Sequence, residues 1–503
     1  MNRLHMLRLN YMRLKWVTLK FNIKKLTMRK LLFILPAIIL LIVSGCQVKQ
    51  TEKKAKYVFL LIGDGMGKNQ VYATQLYQAA LKMQYGPDNL SFTDFPVQSW
   101  STTYSADNLT TDSAAAGTAL ASGNKTKNGV LNKDTTLTEK FTTIAEKAHA
   151  AGYKVGILTS VGIDHATPAA FYTHQDKRNM YYEISLEMPE SGFEYFAGGG
   201  FHLPKGRSGD KPDAYENLKT KGYKFIKSNE EFEAVKNGDT KIFIENPQTY
   251  PTGEFYWDID KKDSALSLAE MTKKGIEILD NPKGFFMMVE GGKIDWSCHG
   301  NDAATTIHEV LAFDDAVTEV IKFYKQHPDE TLIVVTADHE TGGLTMSNKK
   351  YRYNLQLGLL QYQNISSQEF GRLMVNYKQD NPNATFEQVM QLVQKYFGLG
   401  DAEKGLALDE DELQYMNEAY INEFKKHEEE NPDKDYLQAS KETTIVDRAI
   451  YLLNAKAGIS WTSHDHSGMP VPVYAIGQGQ DLFKGGVDNT EIPKIFEKLL
   501  NLK

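Results

Sequence analysis

Aspartates and histidines recur in this 503-residue chain in glycine-rich, turn-like contexts, and their types suit a divalent metal. Asp64 ("GDGMG"), Asp295 and His299 ("DWSCHG"), Asp338 and His339 ("TADHETGG") and His466 ("HDHSG") form one set. Carboxylate oxygen and imidazole nitrogen are donors for Zn²⁺, whose catalytic sites keep one position open for water or substrate. Asp295 and His299 stand four apart, so one helical turn can aim both at one ion. Two zinc ions ask for about six protein ligands, and this set supplies them. A second group is richer in oxygen: Asp64 again, Thr167 and Glu290, with His165 beside them. Such donors suit Mg²⁺, which keeps part of its hydration shell. Plainer roles compete: an ion pair of Glu290 with Lys293, and a turn hydroxyl at Thr167 before Pro168.

Ser113 lies in "TTDSAAAGTALASGNKT" (110–126), a run of small side chains that builds little core. It reads either as a helix cap or as a nucleophile that needs clear space around its hydroxyl. A serine hydroxyl attacks poorly near neutral pH unless a metal or base activates it.

Four apolar runs lead into these residues: "YVFLLIGDGMG", "YKVGILTSVGIDHATP", "GFFMMVEGGKID" and "TLIVVTADHETGG". Continuous apolar runs suit strands buried on both faces, and helical patterns such as "TTIAEKAHAAG" and "SALSLAEMTKKGIEILD" alternate with them. The expected fold is therefore α/β, with a mostly parallel central sheet flanked by helices. In such sheets ligands bind beyond the carboxyl ends of the strands, where all four runs deliver acids or histidines. Two regions read as insertions in a catalytic domain over 57–503. Residues 180–265 are polar and irregular, and residues 345–455 form a helical block placed to roof the site. In "TFEQVMQLVQKYFGLG", Thr385 and Gln388 have capping-box spacing and Phe386, Val389, Met390, Val393 and Phe397 share a face. The acids of "DEDELQYMNEAYINEFKKHEEE" read as a solvated helical surface, and "FAGGGFHLPKG" as a turn rather than a nucleotide loop.

A net charge of −7 without a basic stripe gives no reason to expect nucleic-acid binding. Cys46 and Cys298 are too few for a disulfide framework, and Cys298 reads as a small buried apolar residue. Residues 1–46 form an N-terminal extension and export signal. From Met28, "MRKLLFILPAIILLIVSGCQ" holds Arg29 and Lys30, a short apolar run and small residues. "VSGC" resembles a bacterial lipobox, which implies a lipid on Cys46, a polar linker over 47–56 and an exported, periplasmic or cell-surface lipoprotein. Because the signal is complete from Met28, translation is expected to start there rather than at Met1.

"DSAAAGTA" around Ser113 resembles the active-site signature of the alkaline phosphatases. "GDGMG", "HATPAAFYTHQDKR", "VEGGKIDWSCHGND", "TADHETGG" and "HDHSG" resemble further segments of that family in its order, over roughly residues 57 to 480. The two inserted regions match it poorly. The resemblance implies hydrolysis of phosphate monoesters through a phosphoserine on Ser113. It implies one zinc on Asp295, His299 and His466, and a second on Asp64, Asp338 and His339 that binds the Ser113 oxygen. It implies magnesium on Asp64, Thr167 and Glu290, and Arg178, oriented by Asp112, on two phosphate oxygens. His466 is taken over His464 because "HSG" continues the family pattern.

Two positions vary within that family. His165 stands where some members have aspartate, which leaves the third site open to Mg²⁺ or Zn²⁺. Trp296 stands where others have a basic residue near the phosphate. Rival readings are a phosphodiesterase or sulfatase on a related two-metal scaffold, or a non-catalytic phosphate-binding or adhesion lipoprotein. The expected partners are small phosphomonoesters, the membrane through Cys46, and a second copy in a homodimer.

Overall fold

A computed structural model describes residues 54–262, 264–425 and 444–502 of the protein. The export segment, Met28, Cys46 and the linker up to residue 53 lie outside these residues, as does the end of the acidic tract from 426. In chain order the strands are β1 (Tyr57–Gly63), β2 (Val97–Thr102), β3 (Lys154–Gly162), β4 (Tyr195–Gly199), β5 (Lys224–Ile226) and β6 (Ile242–Glu245). The second half supplies β7 (Phe285–Gly291), β8 (Thr331–Thr336), β9 (Glu340–Thr341), β10 (His466–Ser467), β11 (Val471–Gly477) and β12 (Val487–Asp488).

Ten of them form one sheet in the order β12-β2-β11-β8-β1-β7-β3-β4-β6-β5. From β8 to β5 every pairing is parallel, and β11 alone runs the other way. The four apolar runs are β1, β3, β7 and β8, side by side at the centre. Their side chains alternate between two cores, as a period of two requires. Val58, Leu60, Ile62, Phe286 and Met288 join one core with the helices Ile144–Ala150 and Glu491–Leu500. Phe59, Leu61, Met287, Val289 and Val335 join the other with Leu268–Leu279 and Ala303–Gln326. Burial on both faces explains why these runs carry no polar alternation.

Register levels the carboxyl ends. Ile62 pairs with both Glu290 and Thr336, and Thr159 pairs with Glu290, so Asp64 and Asp338 emerge on the same edge. Strand β11 runs against β8, with Val473 opposite Thr336, so its beginning lies at that edge too. The two-residue ribbon of β9 and β10 pairs His466 with Thr341 and folds it over the site.

Residues 180–265 depart from the expected irregular insertion. They supply β4, β6 and β5, which extend the sheet to one edge. These strands are five, three and four residues long in chain order, too short to leave a period in a polar stretch. The first half of "FAGGGFHLPKG" is accordingly strand β4 rather than turn. Residues 345–455 do form a helical block around their own core, with Phe370, Val389, Val393, Phe397 and Leu453 packed together. Thr385 and Gln388 make the expected capping box. The acidic helix Glu410–Tyr420 is not solvated throughout. Glu412 is buried and accepts from Lys456 Nζ at 2.8 Å and Lys350 Nζ at 2.7 Å.

Candidate active site

Ser113 is the first residue of the helix Ser113–Ser122, every residue of which is buried. The cap is Asp112, not Ser113: its Oδ1 accepts from Ala115 N at 3.0 Å. The serine hydroxyl is thereby left free for another contact. The small residues give close packing, since a Cβ on Gly117 would come within 2.9 Å of Ala170 Cβ.

The candidate ligands gather into three groups. Asp295, His299 and His466 form one, Asp64, Asp338 and His339 a second, and Asp64, His165 and Glu290 a third. Within each group one donor atom per residue lies within 4.8 Å of the others. Asp64 bridges two groups because it directly follows the central strand β1. Gly65 beside it has φ +70°, and a Cβ there would meet Thr341 Oγ1 at 2.8 Å and Asp295 Cα at 2.9 Å. Only glycine lets the two groups approach this closely. Thr167 Oγ1 donates to Asp64 Oδ2 at 3.3 Å, on the rim of the third group.

The histidine protons can be placed from their partners. His466 Nδ1 donates to the Thr111 carbonyl at 2.9 Å, and His299 Nδ1 donates to the His464 carbonyl. Thr341 Oγ1 donates to Asp295 Oδ1 at 2.5 Å, so its lone pair faces His339 Nδ1 at 3.2 Å. Each ring therefore turns its Nε2 inward, the arrangement in which an outer partner orients an imidazole for a metal. His339 Nε2 then lies 3.1 Å from Ser113 Oγ, 3.2 Å from Asp338 Oδ2 and 3.4 Å from Asp64 Oδ1. One nitrogen cannot hydrogen-bond to all three. A cation among them satisfies the whole set.

Electrostatics gives the same answer. Burial pushes Asp64 well above the ordinary carboxylate range, reinforced by Asp338 and Asp295. It raises Glu290 to about 8 and Asp338 to about 7. Asp64 Oδ1, Asp338 Oδ2 and Glu290 Oε1 are buried without hydrogen-bond partners. Uncompensated carboxylates are among the costliest groups to bury, so these donors fit resident divalent ions. Burial also raises Asp295, but His299, His339 and His466 outweigh it and hold this acid below its usual range. Burial lowers His299, yet Asp295 raises it to about 8. Burial pushes His339 and His165 well down, so both rings are neutral.

Arg178 ties this edge together. Its Nη1 donates to Asp112 Oδ2 at 3.0 Å and its Nη2 to His165 Nε2 at 3.2 Å. Trp296 sets its ring edge-on to His165, 5.8 Å between centroids.

Other residues take structural roles. His464 lies outside the three groups, with Nδ1 donating to the His299 carbonyl at 2.8 Å. Lys293 does not pair with Glu290. Its Nζ donates to the Phe255 carbonyl at 2.7 Å and sits 3.6 Å from the Trp257 ring centroid. Asp164, at the end of β3, binds His202 Nδ1 at 2.6 Å. Cys298 is a free, buried thiol. Thr159, which donates to Glu290 Oε2, and Thr341 are parts of the site that sequence reasoning missed.

The model of the family described as alkaline phosphatase matches residues 55–202 and 198–502. The chain belongs to the alkaline phosphatase family. Alkaline phosphatase 4 of Bacillus subtilis (strain 168) is 29% identical over 484 residues, covering 91% of this chain and 94% of its own length. Alkaline phosphatase 3 of the same strain is 30% identical over 465 residues, covering 90% of each. The cold-active alkaline phosphatase of the psychrophile Shewanella sp. matches with a TM-score of 0.72 at 29% identity, over 88% of this chain and 99% of that one. The alkaline phosphatase of Thermus thermophilus shares the fold, with a TM-score of 0.72 at 24% identity over 90% and 92% of the chains. As an alkaline phosphatase, the protein is a hydrolase of phosphate monoesters, with candidate metal groups at the carboxyl edge of its sheet.

Proposed function

We propose that this enzyme hydrolyses phosphate monoesters in two in-line displacements through a phosphoserine on Ser113, with two zinc ions and a third divalent ion, Mg²⁺ or Zn²⁺. The observation that carries the reading is the convergence of Ser113 Oγ with Asp64, Asp338 and His339. Asp295, His299 and His466 would hold one zinc, and Asp64, Asp338, His339 and Ser113 Oγ the other. Asp64, His165, Thr167 and Glu290 would hold the third ion. When bound, the zinc pair supplies charge that stabilises attacking and leaving oxygens and brings a hydroxyl or water within reach of deprotonation.

The chain's own residues do the rest. Ser113 Oγ attacks phosphorus, the Oγ–P bond forms, and the bond to the ester oxygen breaks as the alcohol leaves with a proton. Water then attacks from the vacated side, the Oγ–P bond breaks, and inorganic phosphate departs with Ser113 restored. Arg178 presents its planar fork to two nonbridging oxygens, which favours a dianionic monoester over a diester. Asp112 keeps that fork aligned with the helix bearing the nucleophile.

Phosphate labelling of wild type and Ser113→Ala, combined with metal analysis, tests this. Label retained in acid by wild type and absent from the variant is expected; equal labelling would overturn the phosphoserine. p-Nitrophenyl phosphate should be hydrolysed in preference to the bis-ester and the sulfate.

We also propose export and anchoring through a lipid on Cys46. Among the described residues no helix is long and apolar enough to cross a membrane. Palmitate labelling lost in Cys46→Ser supports the anchor, and labelling that persists removes it.

A further inference from the structure

A cavity of about 560 Å³ lies between the helix Ile445–Ala457 and the segment that carries His464. Its walls include His299, Asn301, Tyr451, Asn454, Trp461 and His464. The size is that of a small-molecule site, typically about 300–1,000 Å³. Tyr451 and Asn454 come from the helical block between the metal-ligand segments. We propose that this cavity receives the leaving group of the ester and is built for a nucleoside, which makes nucleoside monophosphates favoured substrates. The proposal rests on the two-metal reading above and deepens it.

Direction comes from the two metal groups. Ser113 Oγ lies against His339, in the group of Asp64 and Asp338. In an in-line displacement the leaving oxygen departs opposite the nucleophile, on the side of the other ion. That side is the group of Asp295, His299 and His466. His299 belongs both to this group and to the cavity wall, so the cavity adjoins the side from which a leaving group moves away from Ser113.

Chemistry of the wall selects the occupant. Tyr451, 45% exposed, and Trp461 offer aromatic surface, and Ile450 and Ile459 add apolar surface. Asn454 and Ser460 supply polar groups, while Asn301 and His464 contact each other at 3.3 Å and brace the wall. No lysine or arginine lines the cavity among the described residues, and its one acid, Asp447, already accepts from the Thr444 hydroxyl at 2.7 Å. The wall therefore suits an uncharged group with a flat ring and hydrogen-bonding edges. A nucleoside has both. A nucleoside diphosphate would bring negative charge to a wall that holds no lysine or arginine among the described residues, and glycerol would leave the rings uncovered.

The test compares adenosine monophosphate with glycerol 2-phosphate in the zinc- and magnesium-loaded full chain. Wild type should favour the nucleotide in kcat/KM. Tyr451→Ala should lose about tenfold on the nucleotide, the scale of one base–aromatic stack, and less than twofold on glycerol 2-phosphate. Tyr451→Phe should keep the preference. Equal losses on both esters, or no preference in wild type, overturn the proposal. Calorimetry of adenosine with Ser113→Ala reads the cavity apart from catalysis: saturable binding weakened by Tyr451→Ala supports it, and no binding overturns it. Failure to hydrolyse either ester would instead strike the reading of the site itself.

Discussion

Asp112 and Arg178, 66 residues apart in the chain, share a 3.0 Å hydrogen bond, while the other oxygen of the same carboxylate caps the helix of Ser113. One side chain thus registers Ser113, the proposed nucleophile, against the Arg178 fork. Asp112→Asn keeps a cap oxygen but loses the charge facing Arg178. KM for p-nitrophenyl phosphate should rise several-fold with little change in melting temperature. Asp112→Ala should add a stability loss of about 1 kcal/mol, the usual cost of a lost cap. Thermal melts beside kinetics check both, and a melting loss in Asp112→Asn equal to that in Asp112→Ala would refute the division of labour.

Metal-free protein should lose stability as pH rises from about 6.5 to 8, where His165 and His339, held well below 6.5 in the folded chain, no longer oppose the trend. Glu290, raised from 4.5 to about 8, and Asp338, raised from 3.8 to about 7, bind more protons folded than unfolded across that window. Stability falls with pH wherever the folded state holds the extra protons. His299, raised from 6.5 to about 8, acts in the same direction, since its contribution is present at low pH and lost as it deprotonates. Zinc and magnesium should remove most of this slope. Chelated and loaded samples melted across the range provide the check, and a chelated sample that stiffens with pH contradicts the charge balance.

Gly117→Val should impair both folding and catalysis. The added Cβ would stand 2.9 Å from Ala170 Cβ and press on the segment that carries Thr167. A loss of about 1–3 kcal/mol is expected, as for other overpacked sites. Loss of kcat should accompany it because Ser113 starts the same helix. Denaturant unfolding and steady-state rates on one preparation measure both, and wild-type values in each would show that the contact has slack.

Trp296→Lys should tighten inhibition by inorganic phosphate. The indole packs edge-on to His165, which itself touches Arg178, so a cation there joins the phosphate-facing edge. A several-fold lower inhibition constant with slower turnover is expected, by analogy with charge-assisted phosphate contacts elsewhere. An unchanged inhibition constant rules out this role for position 296.

The central strands could be read from sequence because burial on both faces leaves unbroken apolar runs, as in "YVFLLIG" of β1. Strands β4, β5 and β6 could not, since each is short and lies among polar turns. The candidate ligands were legible because each follows a strong strand or stands in a glycine-rich turn. Their supports were not. Thr159 meets Glu290 only because β3 and β7 place these residues opposite each other, a fact of register that no spacing encodes. Lys293 shows the converse: adjacency suggested a partner in Glu290, but the side chain turns to Trp257 and the Phe255 carbonyl.

The reversed strand β11 has a consequence for how the enzyme comes into being. His466 stands in β10, just before β11 starts at that edge, so the chain delivers it there only near the end of synthesis. A growing or truncated chain that stops short of this point carries the nucleophile and the neighbouring acids without the third member of the outer group. The outer group of candidate ligands is therefore complete only once the chain has been made past residue 466.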